Sequence, residues 1–169
     1  MKNKILNKEE FLEKLNTDKN FRKKYGRKTV TKGKMVLPPC HYGFQVWTRE
    51  LTDEEKDYYE TDYDRGISLM FNMRSVDLGL GFPFNIASYG LLLLMIADEV
   101  LMHPLELVFN GGDVHVYENQ WDGLDKQLER DSYELPTVHV RDGIWSRGSG
   151  DIILKNYKHH PPIKLPLSN

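Results

Sequence analysis

The stretch GISLMFNMRSVDLGLGFPFNIASYGLLLLMIADEVL, residues 66–101, decides the fold. Its first nine residues form a largely apolar run that begins at a glycine, which predicts a strand. Residues 78–83 contain two glycines and a proline and predict a turn. Residues 84–101 predict a helix. Its strongly apolar segment, 91–97, is far shorter than the roughly 20 residues of a membrane span, so we expect a long buried helix.

Upstream of this unit, the sequence predicts two helices and a strand. Residues 9–24 place apolar side chains at near-helical spacing, which predicts an amphipathic helix. Residues 35–48 predict a strand region that Pro38-Pro39 interrupts. Thr52, followed three residues later by Glu55, predicts a capped short acidic helix. We divide the chain into residues 1–34, an N-terminal helix and basic linker, and residues 35–169, which carry the candidate site.

Downstream of the long helix, strands and a helix follow one another. Residues 105–118 predict a strand, 119–130 an amphipathic helix, and 137–141 and 151–156 two short strands. Three prolines at 159–166 exclude a helix at the end of the chain. The fold class is therefore α+β, with a mixed sheet and a long buried helix.

The composition indicates a globular protein. The chain has 169 residues, 40% of them hydrophobic and 28% charged, which suits one ordinary domain. The net charge of −2 gives no support to binding of nucleic acid or of a membrane surface. A single cysteine and the lack of a signal-peptide core predict a cytoplasmic location.

Polar side chains occur where the apolar pattern predicts none. Cys40 is the only cysteine and stands directly before a predicted strand. It can be a nucleophile, or a buried thiol, which is the more common role of a free cysteine. Each of the others also has an ordinary structural account, as a turn, cap or edge residue. Together, however, they suit an anionic, hydrogen-bonding ligand such as a nucleotide. They are Arg74, Ser75, Asp77, Asn85, His115 and Tyr117.

Four runs in this order resemble consecutive motifs of the thymidylate synthase family. They are LPPCH at 37–41, RSVDLGLGFPFNIASY at 74–89, GGDVHVY at 111–117 and HPPIK at 160–164. The resemblance covers roughly residues 35–164, and more weakly the helix before them. It implies the family's fold and the reductive methylation of dUMP to dTMP.

The resemblance implies roles for the residues that would bind dUMP. Cys40 would attack C6 of the uracil ring, and Arg74 would favour its thiolate while binding the phosphate with Ser75. Asn85 would bind the uracil edge, because an amide donates and accepts at once. The remaining nucleotide-binding positions are His41, Asp77, Gly81, His115 and Tyr117, with His115 and Tyr117 holding the ribose hydroxyl.

The resemblance also implies a co-substrate and a partner. Asp77 would contact the pterin of 5,10-methylenetetrahydrofolate, with Leu80 and Phe84 packing beside it, and no metal is expected. Arg22 and Lys23 fall near the two arginines that the family supplies to the partner subunit's phosphate site. A homodimer is therefore expected, formed through the face of the sheet.

The chain departs from the family pattern in ways that leave alternatives open. Roughly the first two-fifths of a typical member has no counterpart here, residues 49–64 resemble an acidic insertion, and Met73 replaces the usual Gln. The last five residues lack the usual small apolar ending. The chain can be the C-terminal part of a split enzyme that needs a separate N-terminal fragment, which would suit a phage. It can also be a dUMP hydroxymethylase, or a truncated nucleotide-binding relic without activity.

Overall fold

The structure is a computed structural model that describes residues 39–140 and 151–167. The predicted helix at 9–24 and the basic linker lie outside the described residues, as do Arg22 and Lys23. Everything below concerns the described part of the chain.

A three-stranded mixed sheet forms the centre of the described structure. Strand β2, Arg65–Asp77, lies between β1, His41–Glu50, and β3, His103–His115. β1 runs antiparallel to β2, and β3 runs parallel to it. The parallel pair needs a crossover connection, which is provided by helix α2, Phe82–Val100. The structure confirms the strand–turn–helix unit predicted from residues 66–101 and the mixed sheet.

One face of β2 forms the core with α2. Ile67, Leu69, Phe71 and Met73 alternate along the strand and are all buried, as expected where every second side chain points to the same face. The Phe71 ring stacks on the ring of Tyr89 from α2, with centroids 4.1 Å apart. Burying one such side chain stabilises the fold by about 1.5 to 3 kcal/mol, so this face holds sheet and helix together.

Helix α2 is more exposed than the sequence predicts. Only Leu93 and Ala97 are buried, and the helix begins with a proline in its first turn and ends at Leu101 in the left-handed conformation, with φ 55°. Its other apolar residues are half-buried or exposed because the helix contacts the sheet along one face. By length and mean hydropathy (1.2) it is the one helix in the described residues that could cross a membrane. A core helix of a globular protein meets the same criterion.

The remaining elements surround the sheet. Helix α1, Asp53–Tyr59, begins with the predicted capping box, in which Thr52 and Glu55 each bond the other's backbone N–H. A short 3₁₀ helix, Glu118–Gln120, leads into α3, Trp121–Leu128. Strands β4, Thr137–Val140, and β5, Ile152–Lys155, pair antiparallel in a separate sheet. Residues 157–167 contain neither helix nor strand, as the prolines predict.

The strand directions gather the candidate residues at one edge of the sheet. β1 is antiparallel to β2, so its first residue, His41, pairs with Met73 near the end of β2. β3 is parallel to β2, so its last residue, His115, pairs with Asp77. The segment before β1 and the ends of β2 and β3 therefore meet, although their residues lie far apart in the sequence.

Candidate active site

Arg74 is held against Cys40 by two contacts and against Pro39 by a third. The Arg74 backbone N–H donates to the Cys40 carbonyl oxygen at 2.9 Å. Its guanidinium donates from Nε to the Pro39 carbonyl oxygen at 3.3 Å and from Nη2 to the Cys40 sulfur at 3.7 Å. Cys40 is half-buried and forms no disulfide. The thiolate is the nucleophilic form of cysteine, and the Arg74 guanidinium is the cation that faces the Cys40 sulfur.

His41 joins Asn85 to Tyr89. The imidazole Nδ1 lies 3.2 Å from the Tyr89 hydroxyl, and Nε2 lies 3.3 Å from the Asn85 amide nitrogen. Because an amide nitrogen only donates, Nε2 is the acceptor in this pair and Nδ1 carries the ring proton. The contact fixes which end of the Asn85 amide faces His41. The Asn85 oxygen is then directed away from the ring and accepts no hydrogen bond from the described residues.

The Asp77 carboxylate is engaged within its own turn. Oδ1 accepts from the backbone N–H groups of Gly79 and Leu80 at 2.9 and 3.1 Å, and Oδ2 accepts from the Gln120 side chain at 3.1 Å. The Asp77 carbonyl oxygen accepts from the N–H of Gly81, the residue before α2. Asp77 therefore closes the turn that starts α2, which is a structural role beside any contact with a ligand.

His115 and Tyr117 lie together at the end of β3. Their ring centroids are 5.0 Å apart with an edge-to-face orientation. His115 Nδ1 lies 3.4 Å from the Asp113 carboxylate, in a geometry that makes no hydrogen bond. The sequence predicts that both residues lie on the strand, but β3 ends at His115, and Tyr117 is the residue before the 3₁₀ helix. They meet through the turn, not through strand alternation.

Gly112 allows β3 to approach Arg74 closely. A Cβ at Gly112 would lie 2.8 Å from the Arg74 carbonyl oxygen, which is closer than real Cβ atoms come. Next to it, Ser75 pairs in register with Asp113. The double glycine of the third motif thus places β3 beside the residues predicted to hold the phosphate.

The predicted folate residues lie near the start of α2. Leu80 is half-buried, whereas 74% of Phe84 is exposed. Gly81 and Asn85 are joined by the first backbone hydrogen bond of the helix, at 3.1 Å. The first turn of α2 therefore presents the Phe84 ring to solvent.

The most strongly shifted carboxyl among the described residues lies on α1, away from this edge. The Arg49 guanidinium donates to Glu55 at 2.6 Å and, with the Thr52 backbone N–H, lowers the pKa of that carboxyl to about 2. Across residues 39–140 and 151–167, no group of three or more His, Cys, Asp and Glu side chains could hold a metal ion.

The structure brings two residues into the site that the sequence analysis did not select. Tyr89 is the last residue of the motif at 74–89. Because it lies in a strongly apolar helix, the sequence suggests that it is an ordinary core residue. Gln120 donates a hydrogen bond to Asp77. The sequence predicts an amphipathic helix at 119–130, and nothing in that pattern indicates that Gln120 is buried. Side-chain contacts join Cys40 to Arg74 and His41 to Asn85. Asp77 and His115 are paired across β2 and β3.

Comparisons with known proteins place the chain among relatives of one family. The family model described as thymidylate synthase matches residues 4–169. The thymidylate synthase of Francisella philomiragia is 37% identical over 145 residues, covering 84% of this chain and 48% of that protein. That of Francisella tularensis subsp. holarctica is 36% identical over the same shares. Among solved structures, thermostable thymidylate synthase A from Bacillus subtilis matches with a TM-score of 0.64 and 30% identity.

The matches cover unequal shares of the proteins compared. The Bacillus structure is matched over 79% of this chain but 44% of its own length. This chain thus spans about half the length of the curated relatives it matches. The matching residues include the whole described sheet and its edge of polar side chains, and the chain belongs to the thymidylate synthase family.

Proposed function

We propose that this protein catalyses the reductive methylation of dUMP to dTMP, with 5,10-methylenetetrahydrofolate donating both the carbon and the hydride. The observation that carries the proposal is the Cys40 sulfur 3.7 Å from the Arg74 guanidinium, at the sheet edge that also holds the His41–Asn85 pair. A nucleophile, a cation and an amide with a fixed orientation are what addition to a uracil ring requires.

The chemistry begins with the thiolate. Cys40 Sγ bonds to uracil C6, and the electron pair of the C5–C6 bond moves towards C4 and its oxygen. Asn85 Oδ1 accepts from uracil N3–H, while the Nδ2 hydrogen not directed at His41 donates to O4 and stabilises the negative charge that develops there. C5 then bonds to the methylene carbon of the folate, while the bond from that carbon to N10 breaks and N10 takes up a proton.

The later steps return the enzyme to its starting state. C5 loses its proton, tetrahydrofolate leaves the methylene carbon, and a hydride from the tetrahydrofolate reduces that carbon to a methyl group. The Cys40–C6 bond then breaks, which gives dTMP, dihydrofolate and a free thiolate. These steps need only the two substrates and a group that first supplies a proton to N10 and later accepts one from C5, and the hydride of the folate supplies the two electrons that reduce the methylene carbon.

Arg74 and Ser75 form the proposed phosphate site on β2. Arg74 is exposed, and guanidinium groups bind phosphate oxygens in a planar, bidentate way. Arg22 and Lys23 would add charge from a second subunit. The site thus places the phosphate and the nucleophile beside the same guanidinium.

Folate binding is proposed for the turn before α2. Asp77, Leu80 and the exposed Phe84 ring would contact the pterin, with Phe84 offering a flat apolar surface for stacking. Asp77 already receives three hydrogen bonds, so its carboxylate is held in one orientation before a ligand arrives.

A homodimer is proposed through the sheet face opposite α2. Strand alternation places Trp47, Met70 and Val108 on that face. Large apolar side chains on an uncovered sheet face favour association. Sedimentation equilibrium should give twice the monomer mass, and Met70→Glu should shift it towards the monomer; a monomer at micromolar concentration would contradict the proposal.

A second candidate function is a nucleotide-binding module that turns over only with a further polypeptide, such as a separate N-terminal fragment. The observation that favours it is an open apolar cavity of about 450 Å³ between β1 and α2. Its lining includes Phe44, Leu91, Leu92 and Met95. Apolar surface of this kind is usually covered by another part of a fold, and without that part the protein would be a relic.

The test follows both products of the proposed reaction. Purified protein is incubated with dUMP labelled with tritium at C5 and with 5,10-methylenetetrahydrofolate, while dihydrofolate is followed by absorbance. Methylation gives one dihydrofolate for each tritium released, and Cys40→Ser gives neither. Tritium release without dihydrofolate would establish a dUMP hydroxymethylase instead. Neither signal, from a sample that binds dUMP, would favour the second candidate.

A further inference from the structure

A buried glutamine bridges the Asp77 turn and the C-terminal segment. Gln120 is 0% exposed and ends the 3₁₀ helix after Tyr117. Its Nε2 donates to Asp77 Oδ2 at 3.1 Å and to the Pro166 carbonyl oxygen at 3.2 Å. One amide group therefore uses both of its N–H bonds to join two segments that are about 90 residues apart in sequence.

Two glycines leave room for this bridge. A Cβ at Gly79 would lie 2.6 Å from Gln120 Oε1 and 3.1 Å from the Leu165 side chain. A Cβ at Gly123, near the start of α3, would collide with the same leucine. Leu165 is thus seated between the turn and α3, directly beside the Gln120 amide.

Packing alone does not explain why an amide side chain occupies this buried space. Within residues 39–140 and 151–167, Gln120 Oε1 is buried and accepts no hydrogen bond. An unpaired buried acceptor is unfavourable, and an apolar side chain of the same shape would avoid it. The two hydrogen bonds that Gln120 Nε2 donates, to Asp77 and to the Pro166 carbonyl oxygen, explain the amide better than packing does.

We propose that Gln120 is a positioning residue that fixes the Asp77 carboxylate and ties it to the C-terminal segment, residues 163–166. The order of that segment and the affinity of the Asp77 turn for folate are then linked. The link to folate rests on the proposed function, whereas the mechanical link between turn and segment does not.

The mechanical link is tested by hydrogen exchange on the whole protein without ligand. Gln120→Met keeps the length of the side chain and removes both donors, and Gln127→Met makes the same change at an exposed position of α3. In Gln120→Met, the amides of Gly79 and Leu80 and those of 163–167 should exchange about tenfold faster, the size expected for loss of a hydrogen bond to a charged group. Gln127→Met should match the wild type.

Two exchange results would overturn the link. One is unchanged exchange in either segment. The other is exchange that rises equally along β2, since this would reflect a general loss of stability. Gln120→Leu provides a second variant should Gln120→Met fail to fold, because it also removes both donors and adds no charge to the buried site.

The consequence for folate is measured by titrating the wild type and the variant with tetrahydrofolate, which carries no carbon to transfer, in the presence of dUMP, and with dUMP alone. Gln120→Met should weaken folate binding about tenfold, a larger loss than that of dUMP affinity. In turnover, KM for folate should rise more than kcat falls. Equal folate affinity in the two proteins overturns the inference and leaves the proposed function standing. A wild type that binds no folate contradicts the proposed function, while the exchange result still decides the link.

Discussion

Asn85→Asp is the substitution that most directly tests recognition of the uracil ring. The amide nitrogen contacts His41 Nε2 at 3.3 Å and, in the proposed complex, donates its other hydrogen to uracil O4. A carboxylate of nearly the same shape keeps the acceptor for N3–H and loses that donor. It also places a negative charge against O4, so uracil is penalised, whereas the amino group of cytosine finds an acceptor.

The size of the effect follows from the bonds lost. Removing a hydrogen bond and leaving a polar group unpaired costs about 2 to 3 kcal/mol when a charge is involved. This corresponds to about 30- to 150-fold in Kd for dUMP. The contact with His41 is long, so the free energy of unfolding should fall by only about 1 kcal/mol.

Calorimetric titration with dUMP and dCMP measures the prediction. The variant should bind dUMP about 30- to 150-fold more weakly, and its preference for dUMP over dCMP should shrink or reverse. Asn156→Asp, at an exposed position, is the matched control and should bind both nucleotides as the wild type does. A folded Asn85→Asp protein with unchanged affinity for dUMP would refute the role given to Asn85.

Three further predictions concern the fold. Gly112→Ala adds a Cβ 2.8 Å from a β2 carbonyl oxygen and should cost about 1 to 3 kcal/mol in urea unfolding; Gly43→Ala, with nothing within 4 Å, should be nearly neutral, and equal losses would refute the close approach. Phe71→Ala empties a fully buried site and should cost about 3 to 5 kcal/mol, against under about 0.5 kcal/mol for the exposed Phe84→Ala. The Glu55 pKa falls from 4.5 to about 2, so its stabilisation is complete above pH 4.5 and is lost as the pH falls towards 2. The Tm of Glu55→Gln should therefore fall less than that of the wild type between pH 5 and 2.5, and parallel curves would contradict the assignment.

The local parts of the fold could be predicted because their causes are local. The capping box at Thr52 and Glu55 and the turn before α2 depend on residues a few positions apart. Side-chain alternation along β2 fixes its buried face in the same way. Each of these features has a sequence signal whose physical cause lies within the element itself.

The rest depends on contacts between distant segments. The order of β1, β2 and β3 brings Cys40 to Arg74 across 34 residues, and no spacing in the sequence encodes it. The sequence does not show that Tyr117 lies beyond the end of β3. Polar side chains two positions apart, such as His115 and Tyr117, occur in turns as well as in strands. Gln120 was missed because its burial depends on Leu165 and on two glycines from separate elements.

The central claim is that Cys40 adds covalently to C6 of the uracil ring, and trapping of 5-fluoro-dUMP tests it most directly. The fluorine at C5 cannot leave as a proton does, so a working site stops after the folate carbon is attached. The intact mass should rise by one nucleotide and one folate, and peptide mapping should place the adduct on Cys40. Cys40→Ser should bind the nucleotide without a mass change. An adduct on another residue, or one that persists in Cys40→Ser, would contradict the account.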